Sequence, residues 1–455
     1  MDNLPELALR GASPSLTNSG KSSISEHTTS IAAPAPVGRN GLEKLIKSSS
    51  LHPTVFVGMS GGVDSSVSAM LLKEQGYKVV GVYMKNWSRD LPGMKCPWAE
   101  DLADAKRVAV KLGIDFEVWD FENEYHDKVV SYMLEEFKKG NTPNPDIMCN
   151  QEIKFKLFYE TAMEHGADYI ATGHYAKVLS NSRPAPSRPS LRGSGALKLP
   201  VGRNGLELDK TLAMATDKKK DQTYFLYRIS NGALEKTIFP IGGMLKVDVK
   251  KLAEKNGLHN AYKKESMGVC FVGEVSMKDF LKEYIDVKPG EIREIETEKV
   301  VGRHEGAVFY TIGQRHGLYI SGKTGEVNTG LPYYVVKKDL EHNIIYVSRN
   351  LNDQNVWTDE LKLKDVIMRE PLDGSCHALS SPTSQSSVGV PPRACHPSMI
   401  QEIPVQVRLR HLGELIPATF DGETVKFERK IKRPAAGQSA VFYDGEVCLG
   451  GGIIC

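Results

Sequence analysis

Over the first half of the chain, short β-branched apolar runs alternate with longer stretches of helical spacing. Thr54–Met59 and Lys78–Met84 are compact apolar runs, and Asp115–Asp120 alternates with the two-residue period of a strand. Between them, Val67–Gln75 and Ala99–Leu112 carry apolar residues three and four apart, which predicts helices. Strand, loop, helix and strand recurring every ~25 residues is the pattern of a doubly wound parallel sheet. From about Pro289 the text changes to short runs bounded by turns: Ala307–Thr311, Tyr333–Lys337, Ile344–Ser348, Val405–Leu409, Thr424–Phe427 and Ser439–Tyr443. These predict an all-β, barrel-like region. The expected fold class is α/β plus β: a parallel-sheet domain at 51–240, a small central domain at 241–288 and a β-rich domain at 289–455.

Three stretches break this patterning. Residues 1–50 are rich in Ser, Ala, Pro, Thr and Asn without periodicity, and read as a disordered extension. A mitochondrial transit peptide is the competing reading, opposed by Asp2 and Glu6 in a segment that would be acid-poor. Asn181–Leu208 and Gly374–Ser398 read as inserted surface loops, where added length costs little. The seven residues Val37–Glu43 recur identically at Val201–Glu207, each after Pro- and Ser-rich text, as one inserted element present twice.

Composition narrows the class. Of 455 residues 40% are hydrophobic and 25% charged, ordinary for a soluble chain of two or three domains. No uncharged apolar run reaches the ~18 residues of a membrane span. A net charge of +2 neither demands nor excludes nucleic acid, so any RNA-binding surface must come from local clustering. The seven cysteines (96, 149, 270, 376, 395, 448 and 455) contain no C-x-x-C pair, which opposes a structural zinc site, and no metal ligands are assigned. An odd, scattered set points to a reducing compartment, with the cytoplasm expected. Cys376 and Cys395 fall in an inserted stretch and read as passengers.

The strongest local signal is Gly58-Met59-Ser60-Gly61-Gly62-Val63-Asp64-Ser65-Ser66, between a predicted strand and a predicted helix. Glycines let backbone N–H groups approach an anion, and the helix start adds donors and a favourable dipole. No lysine follows the glycines, so this is not a Walker A loop, and the dinucleotide spacing is absent too. Downstream, Asn141–Asn150 is a polar, Pro-containing stretch leading into a helix at about Gln151–His165. Cys149 would then sit near a helix N-terminus, where thiolate is favoured, and its neighbours Asn144, Asp146 and Asn150 argue against a core position. Cys270 lies in a short apolar run bounded by Gly268 and Gly273, and taken alone reads as a strand cysteine.

The loop resembles that of the PP-loop ATP pyrophosphatases, which adenylate a carbonyl oxygen and let a nucleophile displace AMP. The blocks that follow are similar to those of the tRNA-specific 2-thiouridylases: Asn144-Pro145-Asp146 through Cys149-Asn150, Ser266–Gly273, Ala171–Ala176, Lys220-Asp221-Gln222, Tyr310–Arg315 and Pro434–Ser439. The resemblance covers most of 54–455 outside the two insertions. It implies ATP, with Mg2+, at Gly58, Met59, Ser60, Gly61, Gly62, Val63, Asp64 and Ser65, with Met84 at the adenine and Gly173 beside the nucleotide. It implies Cys270 as the persulfide carrier, Cys149 as its catalytic partner and Asp146 as a general acid/base. Asn144, Pro145 and Asp146 would meet the target uridine, and His174, Lys220, Asp221, Gln222, the stretch Arg408–Arg410, His411 and Gln438 the tRNA. His411 stands where the family commonly has Tyr, and His316 where it has a basic residue. The implied partners are tRNA and a sulfur-donor protein, with no membrane and a monomeric state. Two other readings stay open: a different PP-loop enzyme, such as an amide-forming ligase, which needs no cysteine pair, and a non-catalytic RNA-binding protein.

Overall fold

The computed structural model describes residues 52–90, 96–180, 210–264, 277–320, 332–350, 356–369 and 402–455. Strands β1 (Thr54–Gly58), β2 (Lys78–Lys85), β3 (Asp115–Asp120) and β4 (Tyr169–Thr172) lie parallel in the spatial order β3-β2-β1-β4. The next two strands, β5 (Ala176–Ser180) and β6 (Lys210–Met214), pair antiparallel and leave this sheet, whereas β7 (Thr237–Ile238) adds to it beside β4. Both faces are covered. Val55 and Val57 point into one apolar cluster and Phe56 into another, the alternation expected of a strand buried on two sides. Helices α1 (Val63–Glu74) and α2 (Trp98–Leu112) contribute Val67, Leu72 and Val108 to the first cluster. The opposite cluster takes Met133 and Phe137 of α3 (Ser131–Lys138) and Ile153 and Phe158 of α4. Helix α4 begins at Pro145–Met148, passes through a π-helical stretch, Cys149–Leu157, and ends as Phe158–Glu164.

The β-rich half holds two separate sheets, where one domain at 289–455 was expected. A five-stranded sheet has the order β10-β9-β8-β12-β11, from β8 (Gly290–Glu294), β9 (Val300–His304), β10 (Tyr319–Ile320), β11 (Tyr334–Asp339) and β12 (Ile344–Ser348). Then β13 (Trp357–Met368), β14 (Ile403–Arg408), β15 (Ile416–Phe420), β16 (Thr424–Lys432), β17 (Ser439–Asp444) and β18 (Val447–Ile454) form a ring, closed because β13 pairs with both β16 and β18. Closure removes the exposed edges that an open sheet of this size would leave. The β5–β6 hairpin joins this barrel sheet through Val447 opposite Ala213, and the inserted stretch 181–208 falls between its two strands.

Two further expectations need correction. Ala307–Thr311 is not a strand: Ala307–Phe309 is a 3-10 turn, with Phe309 N donating to Gly306 O and Ala307 and Tyr310 buried. A short apolar run carries no period long enough to distinguish the two. Nor does a boundary at 240 divide the packing. Helices α5 (Thr223–Leu226) and α6 (Lys246–Lys255) follow β6, and Val249 and Ala253 of α6 share a cluster with Val67 of α1.

The barrel is tied to the α/β layers by a buried polar network. Arg408 Nη1 donates to Asp221 Oδ2 at 2.8 Å, Thr223 Oγ1 donates to the same oxygen at 2.9 Å, and Ala215 N donates to Oδ1 at 3.1 Å. The Arg408 guanidinium also lies 5.0 Å from the centroid of the Tyr443 ring. Tyr224 and Tyr227 hydroxyls meet Ser439 of β17, each at 3.1 Å. A buried ion pair adds little net stability, but removing one partner strands the other charge. Arg408→Met is therefore expected to cost about 3–5 kcal/mol, and Asp221→Asn/Arg408→Met distinctly less. Urea unfolding of the three proteins checks this; equal midpoints for wild type and Arg408→Met would refute it.

Candidate active site

At the carboxyl end of β1 the chain turns at Gly58 and enters α1 at Val63 with Gly62 as its N-cap. β1 is where the strand order changes sides, β2 and β3 lying on one flank and β4 on the other; such a switch point is where open α/β sheets bind ligands. The loop is braced internally. Ser60 N donates to Ser65 Oγ at 3.2 Å, and the Ser65 and Ser66 hydroxyls donate to Gly62 O at 3.1 and 2.9 Å. Asn260 donates from Nδ2 to Gly61 O and to Ser66 Oγ, both at 2.9 Å, and its own Oδ1 is buried with no hydrogen-bond partner among the described residues. Gly61 has φ +75°, and a Cβ there would collide with Asp101 O at the start of α2. Met84, at the end of β2, packs on Gly58: a Cβ at Gly58 would lie 2.9 Å from Met84 Cε.

The segment after β4 closes the other side. A Cβ on Gly173 would fall 2.6 Å from Ser65 N, so the two backbones touch as only glycine permits. The next residue, His174, pairs Nδ1 with Thr172 Oγ1 at 2.8 Å, and its ring lies 5.7 Å from that of Phe155 on α4. Thr172–His174 thus touches the phosphate loop on one side and the Cys149 helix on the other. Burial, reinforced by the Lys154 ammonium, holds the His174 imidazole well below its ordinary value and keeps it neutral.

Asn144 caps α4, its side chain accepting from Ile147 N at 3.4 Å, and Pro145 occupies the first turn. Cys149 lies one turn inside the helix. Its N–H already has a partner in Pro145 O, and the side chain is fully buried in the cluster containing Ile147, Ile153 and Phe155. The expectation that its polar neighbours keep it out of the core is overturned. Asn150 is itself buried, donating from Nδ2 to Phe225 O at 3.1 Å, and Asp146 is half-buried with Oδ1 lacking a hydrogen-bond partner among the described residues. Cys270 and the run Ser266–Gly273 lie outside the described residues.

The residues expected at RNA divide. Arg410 is exposed and Lys220 half-buried. Asp221 does not face solvent; it is the buried acceptor of Arg408. Gln222 Oε1 accepts from Tyr175 N at 2.8 Å and fixes the turn after His174. Gln438 Nε2 donates to Thr142 O at 2.6 Å, so in this structure it holds the stretch leading into Asn144. His411 Nε2 meets Asp221 O at 2.8 Å, and its ring lies 4.6 Å from Phe225. Burial holds the His411 imidazole below its ordinary value, against the pull of the Asp221 carbonyl and of the Asp221 and Asp146 carboxylates.

Sequence reasoning missed Asn260 and Lys246. Lys246 opens α6 and is buried, yet Nζ lies 2.8 and 2.7 Å from the two carboxylate oxygens of Asp64. The available signal was faint: a basic residue at the first position of a helix works against the helix dipole.

A parallel sheet whose first strand runs through a Gly/Ser loop onto a helix N-terminus, with no lysine in the loop, defines a nucleotide-binding domain of the PP-loop class. Residues 53–274 match the tRNA methyl transferase HUP domain, 278–349 the tRNA methyl transferase PRC-barrel domain and 392–454 the aminomethyltransferase beta-barrel domain. The tRNA-specific 2-thiouridylase MnmA of Listeria welshimeri is 42% identical over 400 residues, covering 88% of this chain and 94% of the relative. MnmA 2 of Geobacillus kaustophilus is 41% identical over 404 residues, covering 89% and 95%, and MnmA of Lactococcus lactis is 40% identical over 404 residues, covering 88% and 94%. The chain belongs to the tRNA-specific 2-thiouridylase family.

Two predictions follow from this geometry. Gly173→Ala should weaken ATP binding about tenfold or more, since the added methyl pushes β4's exit off Ser65 N. Calorimetry checks it, and unchanged affinity would show that the contact is dispensable. For His174, the unfolded state takes up a proton near pH 6.5 that the folded state refuses, so stability falls as pH drops below that value. His304 and His411 are depressed in the same sense. His174→Gln should flatten the fall in urea midpoint between about pH 7 and 5 without abolishing it.

Proposed function

We propose that this protein thiolates C2 of a uridine in the tRNA anticodon loop, using ATP to activate the 2-oxygen. The observation that carries the reading is the bridge at Thr172–His174, which sets the phosphate loop and the Cys149 helix on two sides of one short segment. Family membership supplies the substrate class.

The chemistry suits these groups. A urea-like carbonyl is a poor electrophile until its oxygen becomes a leaving group. The uridine 2-oxygen attacks the α-phosphorus of ATP, and pyrophosphate departs toward the N–H donors of Gly61–Ser65. The terminal sulfur of a Cys270 persulfide then attacks C2, and AMP leaves with the oxygen. The Cys149 thiolate attacks the Cys270 sulfur; the sulfur–sulfur bond to the base breaks, leaving 2-thiouridine and a Cys149–Cys270 disulfide that an external thiol reduces. Asp146, one of whose oxygens is buried with no hydrogen-bond partner among the described residues, would accept a proton from the base or orient it. Mg2+ would enter on the nucleotide phosphates and spread their charge. A sulfur-donor protein reloads Cys270.

A uridine must be unstacked to reach such a pocket. Asn144, Pro145 and Asp146 would receive it, with Arg410 and Lys220 on the RNA backbone. His411 is positioned by Asp221 and Phe225 and would border the same opening. A monomer acting in the cytoplasm is the simplest arrangement for this reaction.

Incubating tRNA with ATP, Mg2+, a cysteine desulfurase with free cysteine as the source of sulfane sulfur, and a reducing thiol should yield 2-thiouridine in nucleoside digests. No product, under conditions where a relative is active, would sink the reading. Cys149→Ser and Cys270→Ser should each abolish product yet retain tRNA-dependent ATP–pyrophosphate exchange, because adenylation precedes sulfur transfer. Retained 2-thiouridine in both variants would refute the roles given to the two cysteines.

A further inference from the structure

The phosphate loop has no lysine of its own, yet it carries an acid, Asp64, in the first turn of α1. A carboxylate there suits the helix dipole but competes with any phosphate for the same positive end. The fold answers this from 182 residues downstream. Lys246 Nζ lies 2.8 Å from Asp64 Oδ1 and 2.7 Å from Oδ2, and Tyr175 OH donates to Oδ1 at 2.9 Å. The Lys246 ammonium also sits 5.7 Å from the Tyr175 ring centroid. Its side chain is 8% exposed and that of Asp64 29%. The lysine is held by its backbone too, Lys246 N donating to Asp217 Oδ2 at 3.0 Å. Tyr175 follows directly on Gly173-His174, so the pair is anchored to the segment that touches Ser65 N.

We propose that Asp64 and Lys246 form one charge-compensated unit that sets how tightly the loop grips pyrophosphate. The cation lets a polyphosphate approach a helix start that bears a carboxylate. The carboxylate in turn mutes the cation, so that the loop holds the departing pyrophosphate mainly through its N–H and hydroxyl donors. A loop lysine without such a partner would bind the product more strongly and delay its exit. Lys246 is thus a positioning and charge-setting residue that acts through Asp64, and the assignment rests on the reading of Gly58–Ser65 as a phosphate loop.

A charge series tests it, with metal-free inorganic pyrophosphate as the probe and calorimetry as the readout. Wild type establishes the loop reading independently: no binding by wild type would remove that reading and this assignment with it. Given binding, Asp64→Asn removes the carboxylate that opposes the anion and mutes Lys246, and should tighten pyrophosphate by about tenfold. Lys246→Met leaves the carboxylate facing the anion and should weaken it by a similar factor. Asp64→Asn/Lys246→Met removes both charges and should return affinity to within about threefold of wild type. The double variant removes both members of the pair together, so it keeps the test decisive if Lys246→Met fails to fold. Weaker binding by Asp64→Asn, wild-type binding by Lys246→Met, or a double variant about tenfold or more below wild type would each overturn the proposal.

Discussion

The backbone contact between Gly173 and Ser65 N is the constraint on which the rest of the site depends. It exists only because position 173 has no Cβ. That contact fixes how far the exit of β4 can lie from the start of α1, and with it where His174 and Tyr175 fall. His174 then stacks toward Phe155 of α4, and Tyr175 reaches back to Asp64. One absent methyl therefore sets the distance between the anion-binding donors and the helix that carries Cys149. Evenly spaced glycines in a loop are permissive; this one is obligatory, because the neighbouring atoms are backbone and cannot turn away.

The two β modules reach the chemistry through the four residues before Asn144. Lys338 of β11 donates to Gly140 O at 2.5 Å, and the Thr142 and Thr311 hydroxyls meet at 3.2 Å. From the barrel, Gln438 donates to Thr142 O and Thr142 N donates to Ala436 O at 2.8 Å. Gly437, at φ +88°, comes so close to Thr142 that a Cβ would lie 3.1 Å from its backbone nitrogen. Burial pushes the Lys338 ammonium down to about 8, so its seat on a helix-end carbonyl is a desolvated one. The barrel and the five-stranded sheet consequently act on the site through the chain itself. They set the entry into Asn144-Pro145-Asp146, and a distortion in either module is felt at the start of α4.

What was legible in the sequence was local. The strands β1 to β3, helices α1 and α2 and the phosphate loop each declare themselves within a dozen residues, because period and glycine placement are short-range signals. Contacts across the chain were not. Asp221 sits in a run of lysines and reads as surface text, yet its partner is Arg408 of a different module. Cys149 reads as exposed from its polar neighbours, but Asn150 satisfies its amide on Phe225 O and the helix turns the thiol inward. The expected boundary at 240 failed because α6 packs on α1, and no local pattern distinguishes a helix that returns to the first domain from one that starts a second. Lys246 is the extreme case, a loop residue in function that lies far outside the loop in sequence.

Burial of Cys149 bears on what the site must do. A thiolate waiting in water would oxidise or react with any passing electrophile, whereas a fully buried thiol inside an apolar cluster is unreactive until the structure around it changes. Two polar groups close by in sequence, Asp146 and Asn150, each hold a buried oxygen with no hydrogen-bond partner among the described residues. Unmet acceptors of this kind are costly, and a donor-bearing ligand relieves the cost on arrival. A uracil ring offers one N–H and two carbonyls, and its N–H suits such an acceptor. On the proposed chemistry, the energy gained by satisfying these oxygens would be available to shift the start of α4, where exposure of Cys149 would begin. On the proposed chemistry, keeping the thiol buried until the base is in place would account for both the burial and the unmet acceptors by a single arrangement.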